Sequence, residues 1–382
     1  MDAVPRRTPD PYLFAAVFAL IGIGIVMIYS ASSIVALDQY GEATFFLKKQ
    51  LLWSALSLGA MAVTLTIRYE RLRRATPILL VLVVTPLVVV LLPGIGRVAG
   101  GARRWITVGP LNFQPAEAAK LVLILYLANY LTNRGSAVRR FKAVVPPLVV
   151  TGVCFALLLV QPDMGSAMML AFIAAVMLFL GGARLWHLLA VGLAALPPLG
   201  LATIVAPYRV QRLLAFIDPW RDPQESGFQI IQSLLALGSG GLLGVGLGAS
   251  QQKFFYLPER HTDFIFAILG EELGLMGTGV VLLLYALLAI RGFRVARAAP
   301  DRYSALLAGG ITAALVGQAM MNIGVTSGLL PVTGVPLPFI SFGGSSLLLS
   351  CIGVGILLNI SQYTGRRAPA AAPLLRPAGE PS

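Results

Sequence analysis

The chain has 382 residues, of which 57% are hydrophobic and only 12% charged, whereas soluble domains carry about 25% charged residues. Long apolar runs with so little charge exclude an ordinary soluble domain and predict a polytopic membrane protein. The formal net charge of +13 would suit a nucleic-acid partner. Most basic residues, however, lie in short clusters between apolar runs, as control of membrane topology requires, so no nucleic acid is expected.

Ten apolar runs are long enough to cross a hydrocarbon core of ~30 Å, which takes ~20 residues of helix. The first is too long for the core of a signal peptide and is interpreted as a membrane anchor. The predicted fold class is an all-α polytopic membrane protein, with one domain over 1–366 and a cytoplasmic, disordered tail over 367–382. The ten predicted spans are 12–36, 46–67, 75–93, 115–133, 143–161, 165–183, 187–206, 263–290, 303–330 and 343–363.

The charge pattern orients these spans. With both termini in the cytoplasm, most of the 29 Lys and Arg residues fall in inner segments, as the positive-inside rule requires. The basic residues that break this bias cluster in two outer segments, 94–114 and 207–262. The second is a large extracellular loop between spans 7 and 8, and it keeps enough aliphatic and aromatic residues to predict an ordered, functional loop. Its glycine-rich stretch GSGGLLGVGLGAS follows no βαβ unit, which argues against a nucleotide site.

Several ionisable residues are predicted at membrane depth, where they are costly and usually face a partner or a cavity. Glu117 and Lys120 share a helix face, as either a structural ion pair or part of a site. Asp163 either caps the sixth span or lines a site. Glu271 and Glu272 lie about 12 Å deeper than Asp263 and need partners on other helices, a wet cavity or protonation.

Asp263 begins the eighth span, so Thr262 or Asp263 could simply cap that helix. The alternative is chemical. A carboxylate at the outer surface, flanked by Arg260, His261 and Lys253, lies where an anionic lipid head group would sit. Transfer from a phosphate-activated lipid needs both a proton acceptor for the incoming hydroxyl and positive charge for the leaving phosphate.

Five motifs resemble the SEDS family (shape, elongation, division and sporulation proteins of bacteria). They are GARRWITVGPLNFQPAEAAKL, QPDMGSA, GFQIIQSLLALGSGGLLGVGLG, YLPERHTDFIFAILGEELG and GLLPVTGVPLPFISFGGSSLL, in this order along nearly the whole chain. The form LPVTGVPLPFISFGGSS is more similar to the elongation branch of that family, RodA, than to its division branch, FtsW.

The resemblance implies a ten-helix peptidoglycan glycosyltransferase of the bacterial cytoplasmic membrane. Such an enzyme polymerises lipid II into a glycan strand on the outer face, by inverting transfer with undecaprenyl diphosphate as the leaving group. A class B penicillin-binding protein, a transpeptidase, is the implied partner. The essential acid of the family falls on Asp263, as general base.

The remaining candidate site residues are predicted to act around that base. Basic residues predicted to hold diphosphates are Arg103, Arg104, Arg209, Arg212 and Lys253, because arginine forks suit bidentate contacts. His261 and Thr262 are further predicted substrate contacts, and Trp105 either stacks on a sugar or anchors the interface. Glu117, Lys120, Asp163 and Glu271 are expected to be structural or to line the site. No metal-ligand motif is present, although Mg²⁺ or Mn²⁺ could assist the diphosphate.

Two rival functions remain. A lipid II flippase would use Glu117, Lys120, Glu271 and Glu272 as a charged path across the bilayer. A scaffold that only recruits the transpeptidase would not need a dense outer cluster of acid and base. The concentration of charge at one face favours the polymerase.

Overall fold

The computed structural model describes residues 7–99, 102–109, 111–204, 207–252 and 261–364. This part of the chain is mostly helical. The tail 367–382 lies outside it. The α-helices are α1 (Pro11–Tyr40), α2 (Phe45–Thr66), α3 (Tyr69–Val89), α4 (Pro115–Arg134), α5 (Phe141–Val160), α6 (Met164–Leu180), α7 (Leu185–Ile204), α8 (Pro207–Ile217), α9 (Phe228–Ser239), α10 (Ile265–Arg297), α11 (Arg302–Thr326) and α12 (Gly344–Ser361).

Helices α1–α7 and α10–α12 coincide with the ten predicted spans. Six of them, α1, α3, α5, α10, α11 and α12, are long and apolar enough to cross a membrane. The largest difference is at α10, which runs to Arg297 rather than to residue 290. Its last turns carry Arg291 and Arg294, so the apolar run ends before the helix does.

A three-stranded antiparallel sheet departs from the all-α prediction. It consists of β1 (Gly96–Ala99), β2 (Ala102–Val108) and β3 (Leu111–Phe113), in the order β1-β2-β3. Residue 106 of β2 pairs with Gly96 on one side and with Phe113 on the other. The stretch RWITV is rich in the β-branched and aromatic residues that favour strands, and glycines follow both β1 and β2 in the sequence, so the sequence did contain a signal for this sheet.

The long loop 207–262 contains regular structure, as its composition predicted. Helix α8 is amphipathic, and α9 packs against α10 and α11. Ile230, Ile231 and Ala236 of α9 are buried, and the Ser233 hydroxyl donates to the Thr326 carbonyl over 2.7 Å. The loop is therefore anchored to the helical bundle.

A second connection, residues 331–343 between α11 and α12, enters the protein interior without forming a helix. We call it the buried loop. Its Leu337, Phe339 and Ile340 are almost fully buried. A Cβ placed on Gly24 of α1 would lie 2.6 Å from the Phe339 carbonyl oxygen, so glycine is required at this approach. Irregular backbone at membrane depth is tolerated only where protein covers it, and α1 supplies part of that cover.

Helices α4, α11 and α12 form the centre of the bundle, and α3 lies at its periphery. Leu123 and Leu127 of α4 have no more than 2% exposure. On α3, by contrast, Ile78, Val81 and Leu82 are 60–67% exposed. Exposed apolar surface of this kind on a long helix is typical of a face that contacts lipid.

Candidate active site

Asp263 lies two residues before the start of α10, against the buried loop. The Asn322 amide nitrogen on α11 donates to the Asp263 peptide oxygen over 2.7 Å and to the Val335 peptide oxygen over 2.8 Å. A Cβ at Gly334, which has φ of +71°, would lie 3.5 Å from Asp263 Oδ2. One side chain thus fixes both the segment that carries the carboxylate and the loop beside it.

Hydrogen bonds to their peptide oxygens hold the two residues before Asp263 in place. The Ser341 hydroxyl donates to the Thr262 peptide oxygen over 2.6 Å, and the Phe342 amide donates to that of His261 over 2.9 Å. The His261 ring lies 4.7 Å from the Phe46 ring and 5.7 Å from the Phe342 ring, measured between centroids. A substrate contact for His261 and Thr262 stays a prediction. Phe264, the residue after Asp263, occupies the N-cap position of α10.

Three of the predicted arginines surround one cavity of about 90 Å³. They lie on different elements: Arg104 on β2, and Arg209 and Arg212 on α8. The rest of the lining is mainly apolar and includes Pro162, Met164, Met168, Thr203, Tyr208, Leu213, Pro331, Val332 and Thr333. A small cavity with three guanidinium groups and apolar walls suits an anionic group attached to a hydrocarbon chain.

Protein acceptors hold these guanidinium groups in place. Arg104 donates through Nη2 to the Pro162 carbonyl. Arg209 donates through Nε to the Tyr208 hydroxyl over 2.8 Å and through Nη2 to the Leu159 carbonyl over 3.1 Å. A preorganised cation costs little further entropy when it binds an anion.

Arg212 connects this cavity to Asp263. The residue is exposed overall, but protein atoms crowd its guanidinium. This desolvation is the main cause that lowers the pKa of Arg212, and repulsion from Arg104 adds to it. Attraction from Tyr208 and from Asp263 partly opposes both. Asp263 therefore lies within electrostatic range of Arg212.

Two buried polar atoms at the cavity have no hydrogen-bond partner among the described residues. They are Thr333 Oγ1 and Arg104 Nε. Thr333 is only 9% exposed. Because buried polar groups are nearly always satisfied, a ligand or ordered water is expected at these atoms.

Arg103 and Trp105, the sequence neighbours of Arg104 on β2, are not among the residues that line this cavity. Arg103 is exposed. Lys253 falls outside the described residues. The structure therefore groups Arg104 with Arg209 and Arg212, and separates it from its sequence neighbours.

Asp163 caps α6, one of the two alternatives that the sequence left open. Its Oδ1 accepts from the Ser166 amide over 3.1 Å, and its Oδ2 accepts from the Gln114 side chain over 3.2 Å. Residue 163 follows Pro162, whose carbonyl holds Arg104. The cap thereby supports the wall of the arginine cavity.

Glu117 and Lys120 form an ion pair in the bundle centre. Lys120 Nζ lies 2.8 Å from Glu117 Oε1 and 2.6 Å from Gln318 Oε1. The Gln318 nitrogen then donates to the Pro336 carbonyl of the buried loop over 2.9 Å. A cavity of about 40 Å³ adjoins the pair. The pair therefore anchors the same loop that Asn322 ties to Asp263.

Glu271 and Glu272 find partners outside α10. The Ser30 hydroxyl of α1 lies 2.6 Å from both Glu272 carboxylate oxygens. Glu271 accepts from the Ser250 hydroxyl and, over 2.9 Å, from the Gln251 amide. Both carboxylates thus accept hydrogen bonds from neighbouring segments: Glu272 from α1, and Glu271 from the end of the glycine-rich stretch.

Helix α10 is interrupted at Gly274, where φ is +64° and ψ is −161°. The glycine-rich stretch forms hydrogen bonds with the backbone on both sides of this interruption. The carbonyls of Glu271 and Glu272 accept from the amides of residues 245 and 246, over 3.0 and 3.1 Å. The amides of residues 275 and 276 donate to the carbonyls of residues 241 and 242, over 2.9 and 3.1 Å. An inserted segment replaces the lost helical bonds, which buried backbone groups require.

No group of three or more His, Cys, Asp or Glu residues that could hold a metal ion occurs in the described ranges. Participation of Mg²⁺ or Mn²⁺ stays a hypothesis. Four further residues that contact the site were not predicted from the sequence: Gln318, Asn322, Thr333 and Gly334. Gln318 and Asn322 are four residues apart in a predicted span and so share a helix face, a signal that could have identified them.

Comparison with known proteins agrees with this architecture. Residues 11–366 match the FtsW/RodA/SpoVE family of cell cycle proteins, and the chain belongs to this family. Stage V sporulation protein E of Bacillus subtilis is 44% identical over 360 residues, covering 94% of this chain and 98% of that protein. The probable peptidoglycan glycosyltransferase FtsW of Geobacter sulfurreducens is 45% identical over 354 residues, covering 92% and 95%.

Solved structures share the fold. The rod shape determining protein RodA of Thermus thermophilus is 32% identical, with a TM-score of 0.69 over 94% of this chain and 98% of that chain. A second chain comes from a study described as structural coordination of polymerization and crosslinking by a peptidoglycan synthase complex. It is 34% identical, with a TM-score of 0.76 over 93% of this chain and 98% of that chain.

Proposed function

We propose that the protein is a peptidoglycan glycosyltransferase that polymerises lipid II, with Asp263 as general base. The observation that carries the proposal is the position of Asp263, whose backbone Asn322 fixes and whose carboxylate lies within electrostatic range of Arg212, at a cavity with three arginines. A proton acceptor beside anchored cations meets the two needs of transfer from a lipid diphosphate. Relatives named peptidoglycan glycosyltransferase support the same reaction.

In the proposed reaction, Asp263 accepts the proton of the 4-hydroxyl on the GlcNAc of an incoming lipid II. The oxygen attacks the anomeric carbon of a glycan linked to undecaprenyl diphosphate, with inversion. The bond from that carbon to the diphosphate breaks, and the leaving group keeps the electron pair as added negative charge. Arg104, Arg209 and Arg212 stabilise this charge, and the prenyl chain follows the apolar wall of the cavity.

The proposed topology has ten spans, both termini in the cytoplasm of a bacterium and loop 207–262 outside its cytoplasmic membrane. The positive-inside bias supports it. The elongation role rests on the motif LPVTGVPLPFISFGGSS, while the relatives above include sporulation, division and rod-shape proteins. A class B penicillin-binding protein is the proposed partner, supported by the relative in a complex for polymerization and crosslinking.

Replacing Asp263 tests the proposal. We expect purified Asp263→Asn to lose glycan polymerisation from lipid II by a factor of roughly 10²–10⁴, because it lacks the proton acceptor. Its thermal unfolding should match wild type, because asparagine has nearly the size of aspartate and Asn322 still binds the peptide oxygen of residue 263. Asp218→Asn, an exposed acid in the same loop, is the control and should keep full activity. Polymer formation by Asp263→Asn near the wild-type rate would refute the general base.

A further inference from the structure

A second basic site lies at the opposite end of the bundle. Helix α4 begins beside Asp163 and ends at Arg134, about 30 Å away. At its far end, α3 and α4 enclose a groove of about 570 Å³. The groove is lined by Glu70, Arg73, Arg74, Pro77, Asn129 and Asn133. Nothing in the proposed polymerase reaction uses it.

Arg73 is built into this groove. Its Nε donates to Asn129 Oδ1 over 3.0 Å and its Nη2 donates to Asn133 Oδ1 over 2.6 Å. Its guanidinium carbon lies 5.3 Å from the centre of the Tyr303 ring. These bonds use two of the five N–H donors of an arginine. Topology control needs only positive charge, whereas here two amides and a ring fix the orientation of one guanidinium.

The charge of the groove is positive and its edge is apolar. Its one acid, Glu70, lies 2.9 Å from Arg68 and is paired there, while Arg74 is exposed beside Arg73. The next turns of α3 present Ile78 and Val81, 67% and 65% exposed. Cations therefore lie directly next to a face suited to acyl chains.

We propose that this groove binds the phosphate head group of an anionic phospholipid, with the acyl chains along α3. The occupant belongs to the leaflet at this end of the bundle, the cytoplasmic leaflet in the proposed topology. Basic pockets between membrane helices on that side bind anionic lipids, and each basic residue near the surface contributes about a fivefold gain in affinity. The inference is independent of the polymerase reaction at the other end.

Native mass spectrometry of the full-length protein tests it, after equilibration with dioleoyl phosphatidylglycerol and dioleoyl phosphatidylethanolamine. We expect wild type to retain phosphatidylglycerol in excess. Arg74→Gln should reduce that retention about fivefold, and Arg73→Gln by at least as much. Arg74 is exposed, so its replacement should not disturb folding. Arg297→Gln removes an exposed charge at the same end of the bundle but outside the groove, and it should retain lipid like wild type.

Four results would overturn the proposal, three of them in the lipid measurements and one in a competition. The first is equal retention of the two lipids, and the second is an Arg74→Gln variant that retains phosphatidylglycerol like wild type. The third is an equal loss in Arg297→Gln, which would assign the effect to general surface charge. Glycerol 3-phosphate serves as the soluble competitor. Displacement of the lipid at equimolar concentration would mean that the site recognises phosphate alone and not a membrane lipid.

Discussion

The buried ion pair of Glu117 and Lys120 is expected to be structural. Removing one partner of a buried pair leaves an unpaired charge and costs about 3–5 kcal/mol, so Glu117→Gln or Lys120→Met should each lower the unfolding temperature. The double variant should recover much of the loss. Recovery will be incomplete, because Gln318 also loses the lysine that it contacts. Thermal unfolding in detergent measures all three variants.

The same variants distinguish a structural pair from a catalytic one. If both single variants unfold at the wild-type temperature and yet fail to polymerise lipid II, the pair belongs to the reaction. A loss of stability with activity retained at low temperature supports anchoring of the buried loop.

Thr333 gives a prediction about the ligand of the arginine cavity. Its buried hydroxyl has no partner among the described residues, so Thr333→Val should not lower the free energy of unfolding. If the hydroxyl donates to a diphosphate oxygen, the variant loses about 1.5–3 kcal/mol of binding, which is roughly 10- to 150-fold in kcat/KM. Thr312→Val is the control. That threonine is also buried but donates to the Ala308 carbonyl, so it should keep kcat/KM unchanged. Unchanged kcat/KM in Thr333→Val would exclude this contact.

The sequence predicted charged members of the site better than neutral ones. Arg104, Arg209 and Arg212 could be identified from the sequence because they break the positive-inside bias. In the structure, all three line the same cavity. Asn322 and Thr333 carry no charge, and only tertiary contacts reveal what they bind. Arg103 was grouped with Arg104 because the two are adjacent in sequence, and only Arg104 lines the cavity.

Among elements, the long helices were predictable because an apolar run of about 20 residues has few other stable folds in a membrane. The three-stranded sheet was missed because its strands are short and lie between two spans. The break in α10 was missed for another reason. A glycine within a membrane helix is common, and only the packing of residues 241–246 makes Gly274 non-helical.

This break leads to a prediction for Gly274→Ala. An added Cβ would lie 2.3 Å from the Gly244 nitrogen, at a φ of +64°. Backbone strain alone costs roughly 1–3 kcal/mol, and the collision would displace the segment that binds Glu271. We expect lower thermal stability together with lost polymerisation.

Gly279→Ala in the same helix is the matched control. A Cβ there meets nothing within 4 Å, and alanine is about 1 kcal/mol better than glycine in a helix. This variant should be as stable as wild type or slightly more so, with normal activity. An equal loss in both variants would mean that α10 tolerates no added methyl group, and the inserted segment would have no special role.

At the scale of the whole molecule, the two ends of the bundle carry different chemistry. Asp263, the arginine cavity and loop 207–262 lie at one end, and the groove of Arg73 lies at the other. Between them, Glu117, Lys120 and Glu272 each bind partners within the bundle. These ionisable groups already bind partners inside the bundle. This arrangement suits a reaction at one face better than the passage of a lipid head group through the bilayer.

That asymmetry leads to the last prediction, which separates a polymerase from a flippase. Protein is reconstituted into vesicles with loop 207–262 facing outward, and labelled lipid II is supplied only in the outer leaflet. We expect glycan strands to form without movement of the label to the inner leaflet, because the arginines would meet diphosphates on the loop side alone. Lys253→Met should slow this reaction if Lys253 holds a diphosphate, as the sequence predicts. Lys142→Met, at the start of α5 on the other side, should not. A flippase would move the label to the inner leaflet while chain length stayed at one lipid II unit, and that pattern would reject the polymerase.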